Sequence, residues 1–486
     1  MNTILVTYIL VPLLAALLML PLRRLNKEIP CWLAVLVTGY LLVQTISLYW
    51  VRPYNFVILY YPLTLDGLSH LLLLIVSLAT FVVSFYSVQY LKKYATGLAQ
   101  FYTLYMLLLT GMCGVLLAGD LVSLFIFMEV AALSTYALVA FGQGPEELEA
   151  ALKYLVIGAV ASLLILVGIS LVYGLTGTFA LAQIARTFPP AAVYAKGLIA
   201  ALFLAGFGMK GALMPFHAWL PDAHTSAPAP VSATLSGVLI KVLGLYVMLR
   251  LFFNVLGMTA QLSYLLTGLG VVTLLAGDLM VLTQNDFKRL LAYSSIGQIG
   301  YMVVGFSLAT PLGLMGALFH LFNHALFKPL LFMNAGAVES ATGTRRLDKL
   351  GGLGRKMPLT SLTNLIGSLS ISGLPPFNGF WSKLFIIVAC VQAGRYWTAG
   401  AAVLGAIITL ANFTRLYKLG FTGHLPDNLH KVKEAPWMMG AAVCFMALMC
   451  LLTGLAFPLI VTFVVNPAVV ALANGVGYGR MIAGVQ

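Results

Sequence analysis

Charge is scarce in this sequence. Of its 486 residues only 8% are Asp, Glu, Lys or Arg, whereas 61% are hydrophobic, and the mean hydropathy is +0.99. A soluble domain carries about 25% charged residues. The composition therefore excludes a soluble enzyme and predicts a polytopic membrane protein.

Cysteine and nucleotide-binding motifs are also scarce. The five cysteines lie inside apolar stretches without a CxxC pair, which predicts buried packing residues rather than a haem or iron–sulfur site. No phosphate-binding glycine loop, dinucleotide fingerprint or nucleophile triad stands in a convincing context. We therefore expect no cofactor, and no catalytic redox centre, in this chain.

Long apolar runs fill the sequence instead. A membrane span needs about 20 apolar residues. Arg23, Arg24 and Lys27 follow the first run without a small-residue cleavage site, which indicates a retained helix rather than a signal peptide. The sequence thus predicts an all-α fold of about 14 transmembrane helices, at residues 3–21, 31–51, 66–90, 101–119, 121–141, 152–175, 196–220, 228–252, 262–283, 290–308, 312–338, 358–394, 397–419 and 436–464.

The net charge of +13 is distributed unevenly. The connections after helices 1, 3, 5, 9, 11 and 13 hold 17 basic residues, and those on the other side hold six: Arg52, Arg186, Lys196, Arg250, Arg395 and Arg480. Basic residues accumulate in cytoplasmic loops. We therefore expect both termini outside, and a basic excess that reflects topology rather than nucleic-acid binding.

Two parts of the chain resemble each other at a fixed interval. Gly119-Asp120-Leu121 returns as Gly277-Asp278-Leu279, 158 residues later, and Pro215-Phe216 returns as Pro376-Phe377 after 161 residues. Five predicted helices separate the corresponding points, so the second copy is inverted in the membrane. This predicts helices 1–3 at residues 1–100, one repeat at 101–255, its inverted copy at 256–420, and a last helix within 421–486.

Prolines lie inside the seventh and twelfth predicted helices. Pro215 and the pair Pro375-Pro376 each remove a backbone hydrogen bond, so both helices should break near mid-membrane. Broken backbone at that depth needs protein or a water-filled cavity around it. Lys210 and Lys383 lie close to the two breaks. Hydrated ion sites are one interpretation; simple kinks with snorkelling lysines are the alternative.

Ionisable residues lie near the centres of predicted spans. Glu129, Lys210 and Lys241 each cost about 2.5–3.5 kcal/mol on insertion scales at mid-bilayer. A Glu129–Lys210 pair could act as a switch, since separating the two charges drives a proton onward. A static structural ion pair is the alternative. Lysines buried away from water give up protons readily, which favours Lys241 as a proton carrier.

The eleventh predicted helix carries a polar stripe. His320, His324 and Lys328 are spaced four residues apart and share one face. This pattern predicts a proton wire. A zinc site is an alternative, although no HExxH glutamate is present, and core histidines bonded to the backbone are another.

Polar residues also gather just after the seventh predicted helix. His217, Asp222 and His224 could form an ion vestibule at its cytoplasmic end, or Asp222 could only cap the next helix. Asp66, Asp120 and Asp278 lie near predicted helix ends, where caps or interface anchors are expected rather than charge carriers.

Taken together, these motifs make the chain similar to the antiporter-like membrane subunits of respiratory complex I, group 4 membrane-bound NiFe hydrogenases and multi-subunit (Mrp-type) sodium/proton antiporters. The resemblance covers nearly the whole chain. The residues that carry it are Met128-Glu129, residues 210–224, Asp286 to Ile296, His320 to Phe332 and Gly373 to Phe380.

The resemblance implies a role for each of these residues. The family pairs the residues matching Glu129 and Lys210, and connects those matching Lys241, His320 and His324 to an ionisable residue on the broken twelfth helix, here Lys383. The chain ends at Gln486, without room for the lateral helix of complex I's most distal subunit, which favours a shorter member. The sequence motif around Pro375 and Lys383 looks most like that of the hydrogenase-type subunit.

The function implied is translocation of protons, or exchange of sodium for protons, in a redox-driven complex. Iron–sulfur, NiFe or flavin groups would then lie in peripheral redox subunits, beside other membrane subunits in the lipid bilayer of a prokaryotic cytoplasmic membrane. A stand-alone sodium/proton antiporter subunit is the alternative, and a scaffold that has lost transport is a third. No nucleic acid is expected as a partner.

Overall fold

The computed structural model describes residues 3–51, 58–60, 63–93, 97–188 and 193–477. Arg52 and Arg480, which count in the predicted charge distribution, lie outside the described residues. Helices dominate the described chain. Its first six are α1 Thr3–Leu22, α2 Ile29–Val51, α3 Gly67–Tyr90, α4 Leu98–Leu117, α5 Leu121–Val139 and α6 Pro145–Thr176.

The rest of the described chain contains twelve further helices longer than three residues. They are α7 Leu181–Thr187, α8 Val193–Lys210, α9 Trp219–Ser226, α10 Ala229–Val255, α11 Ala260–Val281, α12 Phe287–Ser307, α13 Pro311–Thr342, α14 Pro358–Ser372, α15 Asn378–Gln392, α16 Tyr396–Phe421, α17 Trp437–Leu455 and α18 Phe457–Ala473. A two-stranded antiparallel hairpin, β1 Ile58–Tyr60 and β2 Leu63–Leu65, precedes α3, with Leu59 opposite Thr64.

Eleven of the described helices are long and apolar enough to cross a membrane. Three expected spans are not among these eleven. They are helix α13, which carries the polar stripe, and the two helices that break. The chain is therefore a polytopic helical membrane protein, while the count of 14 spans stays a prediction. The last expected span, 436–464, is interrupted at Ala456 and continues as α18 to Ala473.

Both predicted breaks are confirmed. The seventh expected span divides into α8 and α9, separated by the non-helical residues 211–218, and the twelfth divides into α14 and α15 around residues 373–377. Both gaps contain the predicted prolines, which cannot donate to a preceding carbonyl. The break after Lys210 is longer than one kink, so Asp222 lies within α9, not after the end of the seventh helix as expected.

Two helices form the centre of the bundle. Every residue of α10, and every residue of α13 from Gly316 to Val338, is buried. Helix α13 packs against α3, α10, α12, α14, α15 and α17. Because neighbouring helices enclose α13, its histidines and lysine face protein rather than lipid.

Helix α10 is wound more widely than an α-helix. It contains π-helical turns at Leu235–Leu239, Lys241–Tyr246 and Arg250–Val255. Such turns often occur at functional sites. The second π-helical turn begins at Lys241, which places a relay candidate where the backbone departs from regular α-helical geometry.

Candidate ion-translocation site

Glu129 and Lys210 are in direct contact. Asp120 caps α5 and places Glu129 near the middle of that helix, while Lys210 is the last residue of α8. Lys210 Nζ donates to Glu129 Oε1 at 3.1 Å, and Ser162 Oγ of α6 donates to the same oxygen at 2.6 Å. The Lys210 side chain is 4% exposed and that of Glu129 27% exposed. The structure thus brings the predicted pair together, with the carboxylate towards the surface.

The first helix break is held closely against α10. An added Cβ at Gly244 would lie 2.4 Å from Gly211 Cα, so only glycine permits this approach of the two backbones. Trp219 Nε1, at the start of α9, donates to Met209 O at 2.9 Å, which satisfies a carbonyl at the end of α8. The break therefore leaves Lys210 next to the helix that carries Lys241.

Lys241 is fully buried and contacts no carboxylate within the described ranges. Its ammonium donates to Ser236 O, five residues earlier in the same helix. The Ser236 hydroxyl lies 2.8 Å from the Ser295 hydroxyl of α12. The partner of the Lys241 ammonium is thus a main-chain carbonyl, whereas the partner of the Lys210 ammonium is a carboxylate.

The polar stripe of α13 meets two neighbouring helices. His320 Nδ1 lies 3.0 Å from Ser382 Oγ of α15, and its Nε2 lies 3.2 Å from Gln298 Oε1 of α12. Lys328 Nζ donates to Leu291 O at 2.8 Å and to Ser294 Oγ at 2.6 Å, both on α12. The stripe therefore connects α12 with the second broken helix.

His324 differs from its neighbours on the stripe. Neither ring nitrogen has a hydrogen-bond partner within the part of the chain that the structure describes, although the residue is fully buried. The hydrogen bonds of the polar stripe are therefore interrupted at His324, which lies between His320 and Lys328. Buried polar groups of this kind are usually satisfied by bound water.

Lys383 reaches back across the second break. From α15, its Nζ donates to Ile371 O at 2.8 Å and to Ser372 O at 3.4 Å, at the end of α14. The ammonium also lies 4.7 Å from the centre of the Tyr301 ring. The lysine satisfies carbonyls that the interrupted helix leaves free, as a cation at a helix C-terminus should.

Asp222 lies at a cluster of exposed charges. Its carboxylate accepts from Lys153 of α6 and from Arg289 of α12, each at 2.9 Å. These residues, with Glu146 and Glu149, line a cavity of about 250 Å³. Asp222 therefore connects the two predicted repeats through α9, and its side chain does not cap the next helix: α10 has no side-chain cap.

The two histidines of the predicted vestibule are separated. His217 is partly buried in the first break, whereas His224 is fully buried and its ring lies 4.9 Å from the Phe332 ring. Neither ring nitrogen of His224 has a partner among the described residues. His224 thus lies in the interior beside α13, rather than at a surface entrance with Asp222.

The aspartates expected as caps divide into two groups. Asp66 and Asp120 accept from the main-chain N–H three residues later and cap α3 and α5. Asp278 caps nothing, because Thr259 is the cap of α11 and Asp278 is buried inside that helix. Hydropathy places Asp278 near a helix end but cannot show which neighbouring helices enclose it.

An ion pair between Arg250 and Asp66 escaped the sequence analysis. Arg250 was expected in an outer connection, but it lies within α10 and binds Asp66 at both carboxylate oxygens, at 2.6 and 2.7 Å. Both residues are buried. The available signal was an arginine inside the last turns of an apolar helix, which needs a buried counter-charge.

Over the described ranges, no group of three or more His, Cys, Asp or Glu side chains is arranged to hold a metal ion.

Known proteins share this architecture. The family model described as "NADH:quinone oxidoreductase/Mrp antiporter, TM" matches residues 118–409. An NADH-quinone oxidoreductase subunit from Desulforudis audaxviator is 36% identical over 75% of this chain and 74% of its own length. A Na(+)/H(+) antiporter subunit from Alkalihalophilus pseudofirmus is 34% identical over 80% of this chain and 78% of its own.

A solved structure extends the similarity to the complete chain. A chain of the membrane-bound sulfane sulfur reductase, an archaeal respiratory membrane complex, superposes with a TM-score of 0.90. Its sequence is 28% identical, and the match covers 100% of both chains.

Proposed function

Because the chain belongs to the NADH:quinone oxidoreductase/Mrp antiporter membrane family and is an antiporter-like subunit, we propose that it translocates protons, or exchanges sodium for protons, within a redox-driven membrane complex. The relay consists of ionisable residues that continue from one helix break to the other, all of them buried except the partly exposed Glu129. They are Glu129, Lys210, Lys241, His320, His324, Lys328 and Lys383.

The observation that carries this proposal is the placement of the lysines. Lys241, Lys328 and Lys383 are enclosed by apolar helices and donate to main-chain carbonyls, with a serine hydroxyl added at Lys328. Burying an ammonium without a contacting carboxylate is costly, so stability alone does not account for three of them. A path that carries positive charge through the membrane does require such groups.

The first half of the relay acts as the switch. When Lys210 contacts Glu129 its charge is stabilised, and separation of the pair releases the proton towards Lys241. Hydroxyl and amide groups offer further hydrogen-bonding positions beyond Lys241. Unpartnered buried atoms of His324, Gln298 and Asn323 mark where water would complete the path towards Lys383. The charged cavity at Asp222 is the proposed ion vestibule; His217, in the first break, is not among its lining residues, and His224 lies deeper, beside α13.

The complex that we propose contains other membrane subunits and peripheral redox subunits. Iron–sulfur, NiFe or flavin groups would lie in those peripheral partners, and conformational or electrostatic changes there would drive the switch. The complex would lie in a prokaryotic cytoplasmic membrane with both termini of this chain outside. The superposition on a chain of a respiratory membrane complex covers the full length of both chains. It supports the assignment to a redox-driven complex.

A stand-alone sodium/proton antiporter is the second candidate. The 34% identity to a Na(+)/H(+) antiporter subunit favours it specifically. The same ionisable residues would then exchange sodium for protons without an electron-transfer partner.

Mass spectrometry of the gently solubilised native complex, with metal analysis of the same sample, separates the two candidates. We expect redox subunits with nickel, flavin or iron–sulfur groups to co-purify. A set of membrane proteins alone, free of metal and flavin, would overturn the redox-driven assignment and favour the antiporter.

A further inference from the structure

Asp278 is a buried carboxylate that the relay described above does not use. It lies in α11, near the last residue of the helix, and is 0% exposed. A negative charge near a helix C-terminus is unfavourable, and burial away from water adds to the cost. Its position therefore calls for a compensating positive charge.

Two glycines make room for this carboxylate. A Cβ at Gly297 of α12 would lie 2.4 Å from Asp278 Oδ1, and a Cβ at Gly405 of α16 would lie 3.3 Å from Oδ2. At these two positions α12 and α16 have no side chain, which leaves space for the carboxylate. The carboxylate sits in a fitted site between three helices.

Hydrogen bonds do not satisfy the carboxylate by themselves. Thr409 Oγ1 of α16 donates to Oδ2 at 3.0 Å, while Oδ1 has no partner among the described residues. Asn412 binds the main-chain oxygen of Asp278 at 2.9 Å rather than its side chain. An ionised carboxylate has about four acceptor positions, so one hydrogen bond leaves most of its charge uncompensated.

The cation that adjoins the site of Asp278 is Lys383 of α15. Tyr301 lies near both groups. Its hydroxyl lies 3.0 Å from the Cβ position at Gly405, next to the carboxylate, and its ring lies 4.7 Å from Lys383 Nζ. The carboxylate therefore faces the part of the relay that lies beyond His320.

We propose that Asp278 is the second carboxylate of the relay: it balances the positive charge of Lys383, as Glu129 balances that of Lys210. When a proton arrives at Lys383, the negative charge of Asp278 stabilises the ammonium that forms. This inference rests on the proposed function. It assigns Asp278 as a positioning residue that acts through Lys383.

The test compares Asp278→Asn with Thr409→Val in the reconstituted complex, with Glu129→Gln measured in parallel. Asparagine fits the same space and can still accept from Thr409, but it carries no charge. We expect Asp278→Asn to lower proton translocation about tenfold or more, since a buried charge partner is worth several kcal/mol. Thr409→Val, which keeps the charge and removes the hydrogen bond, should stay within about twofold of the native protein.

Other outcomes overturn the inference in distinguishable ways. Equal losses in Asp278→Asn and Thr409→Val, both with lowered thermal stability, would make Asp278 a structural link between α11 and α16. Normal translocation by Asp278→Asn while Glu129→Gln is inactive would overturn this inference alone. Normal translocation by both charge variants would overturn the proposed function as well.

A double variant covers the case in which Asp278→Asn fails to assemble. Removing Lys383 in the same chain, as Asp278→Asn/Lys383→Gln, restores the balance of charge. Recovery of assembly and of the thermal midpoint is expected, because a buried cation left without its counter-ion is more destabilising than a neutral pair. Failure of the double variant to recover would contradict the charge-balance role.

Discussion

The lysines at the two helix breaks have different partners. At the first break, Lys210 touches a carboxylate that is partly exposed, and a serine shares the same oxygen. At the second, Lys383 donates to the carbonyls of the interrupted helix and lies beside the Tyr301 ring. A contact pair changes its electrostatic energy steeply with small motions. The comparison suggests that the first break switches the charge and the second holds it.

The largest effect is expected at Lys241, which lies between the two breaks. Lys241→Met should abolish proton translocation while the thermal midpoint stays the same or rises, because an apolar side chain replaces a buried ammonium that has no carboxylate in contact. Dye-reported acidification of sealed vesicles and thermal unfolding of the same preparation measure both. Lys27→Ala, at an exposed lysine between α1 and α2, is the matched control. A variant that translocates normally would remove Lys241 from the relay.

A buried ion pair outside the relay provides the second comparison. Arg250→Met should destabilise the protein by about 3–5 kcal/mol, because it leaves Asp66 buried and unpaired. The double variant Asp66→Asn/Arg250→Met should recover most of this loss. Chemical denaturation of the purified protein measures both. If the single variant is as stable as the native protein, the pair contributes nothing to the fold.

Lys210→Met should have a smaller effect on stability than Arg250→Met. It leaves the Glu129 carboxylate without its ammonium, but Ser162 still donates to the same oxygen, so the expected cost is about 1–3 kcal/mol. The same denaturation experiment compares Lys210→Met with Glu129→Gln/Lys210→Met. An equal cost for Lys210→Met and Lys241→Met would erase the distinction between a contact pair and an isolated buried lysine.

The smallest effect is expected at the exposed cluster around Asp222. Arg289→Ala removes one of two ion pairs at a partly exposed carboxylate, which is worth about 0–1 kcal/mol. Translocation should change only slightly at physiological salt, since Lys153 still contacts Asp222. Vesicle assays at low and high salt measure this dependence. A complete loss of transport would place the cluster in the relay rather than at its vestibule.

Sequence reasoning predicted the features that depend on the backbone. Pro215, Pro375 and Pro376 predict the two breaks because a proline cannot make the helical hydrogen bond, and Glu129 with Lys210 predicts a pair because each is costly alone. The polar face of α13 follows from spacing along one helix. These properties are local or come from a strong energetic penalty.

Contacts between distant helices could not be predicted in the same way. Asp278 looked like a cap because hydropathy gives distance from a helix end but not the glycines that enclose the carboxylate. Arg250 was counted with the outer connection, although it lies within the predicted helix 228–252, because the sequence does not show that the distant Asp66 binds it. His224 looked accessible because the length of the break, and hence the position of α9, was not visible in the pattern.

The most direct test of the central claim is proton translocation by the complex in sealed vesicles with Glu129→Ala and Lys210→Ala, each shown to assemble. The relay predicts that both variants assemble fully and lose translocation. If both variants pump at the native rate, the switch at the first break does not exist and the proposed relay is wrong.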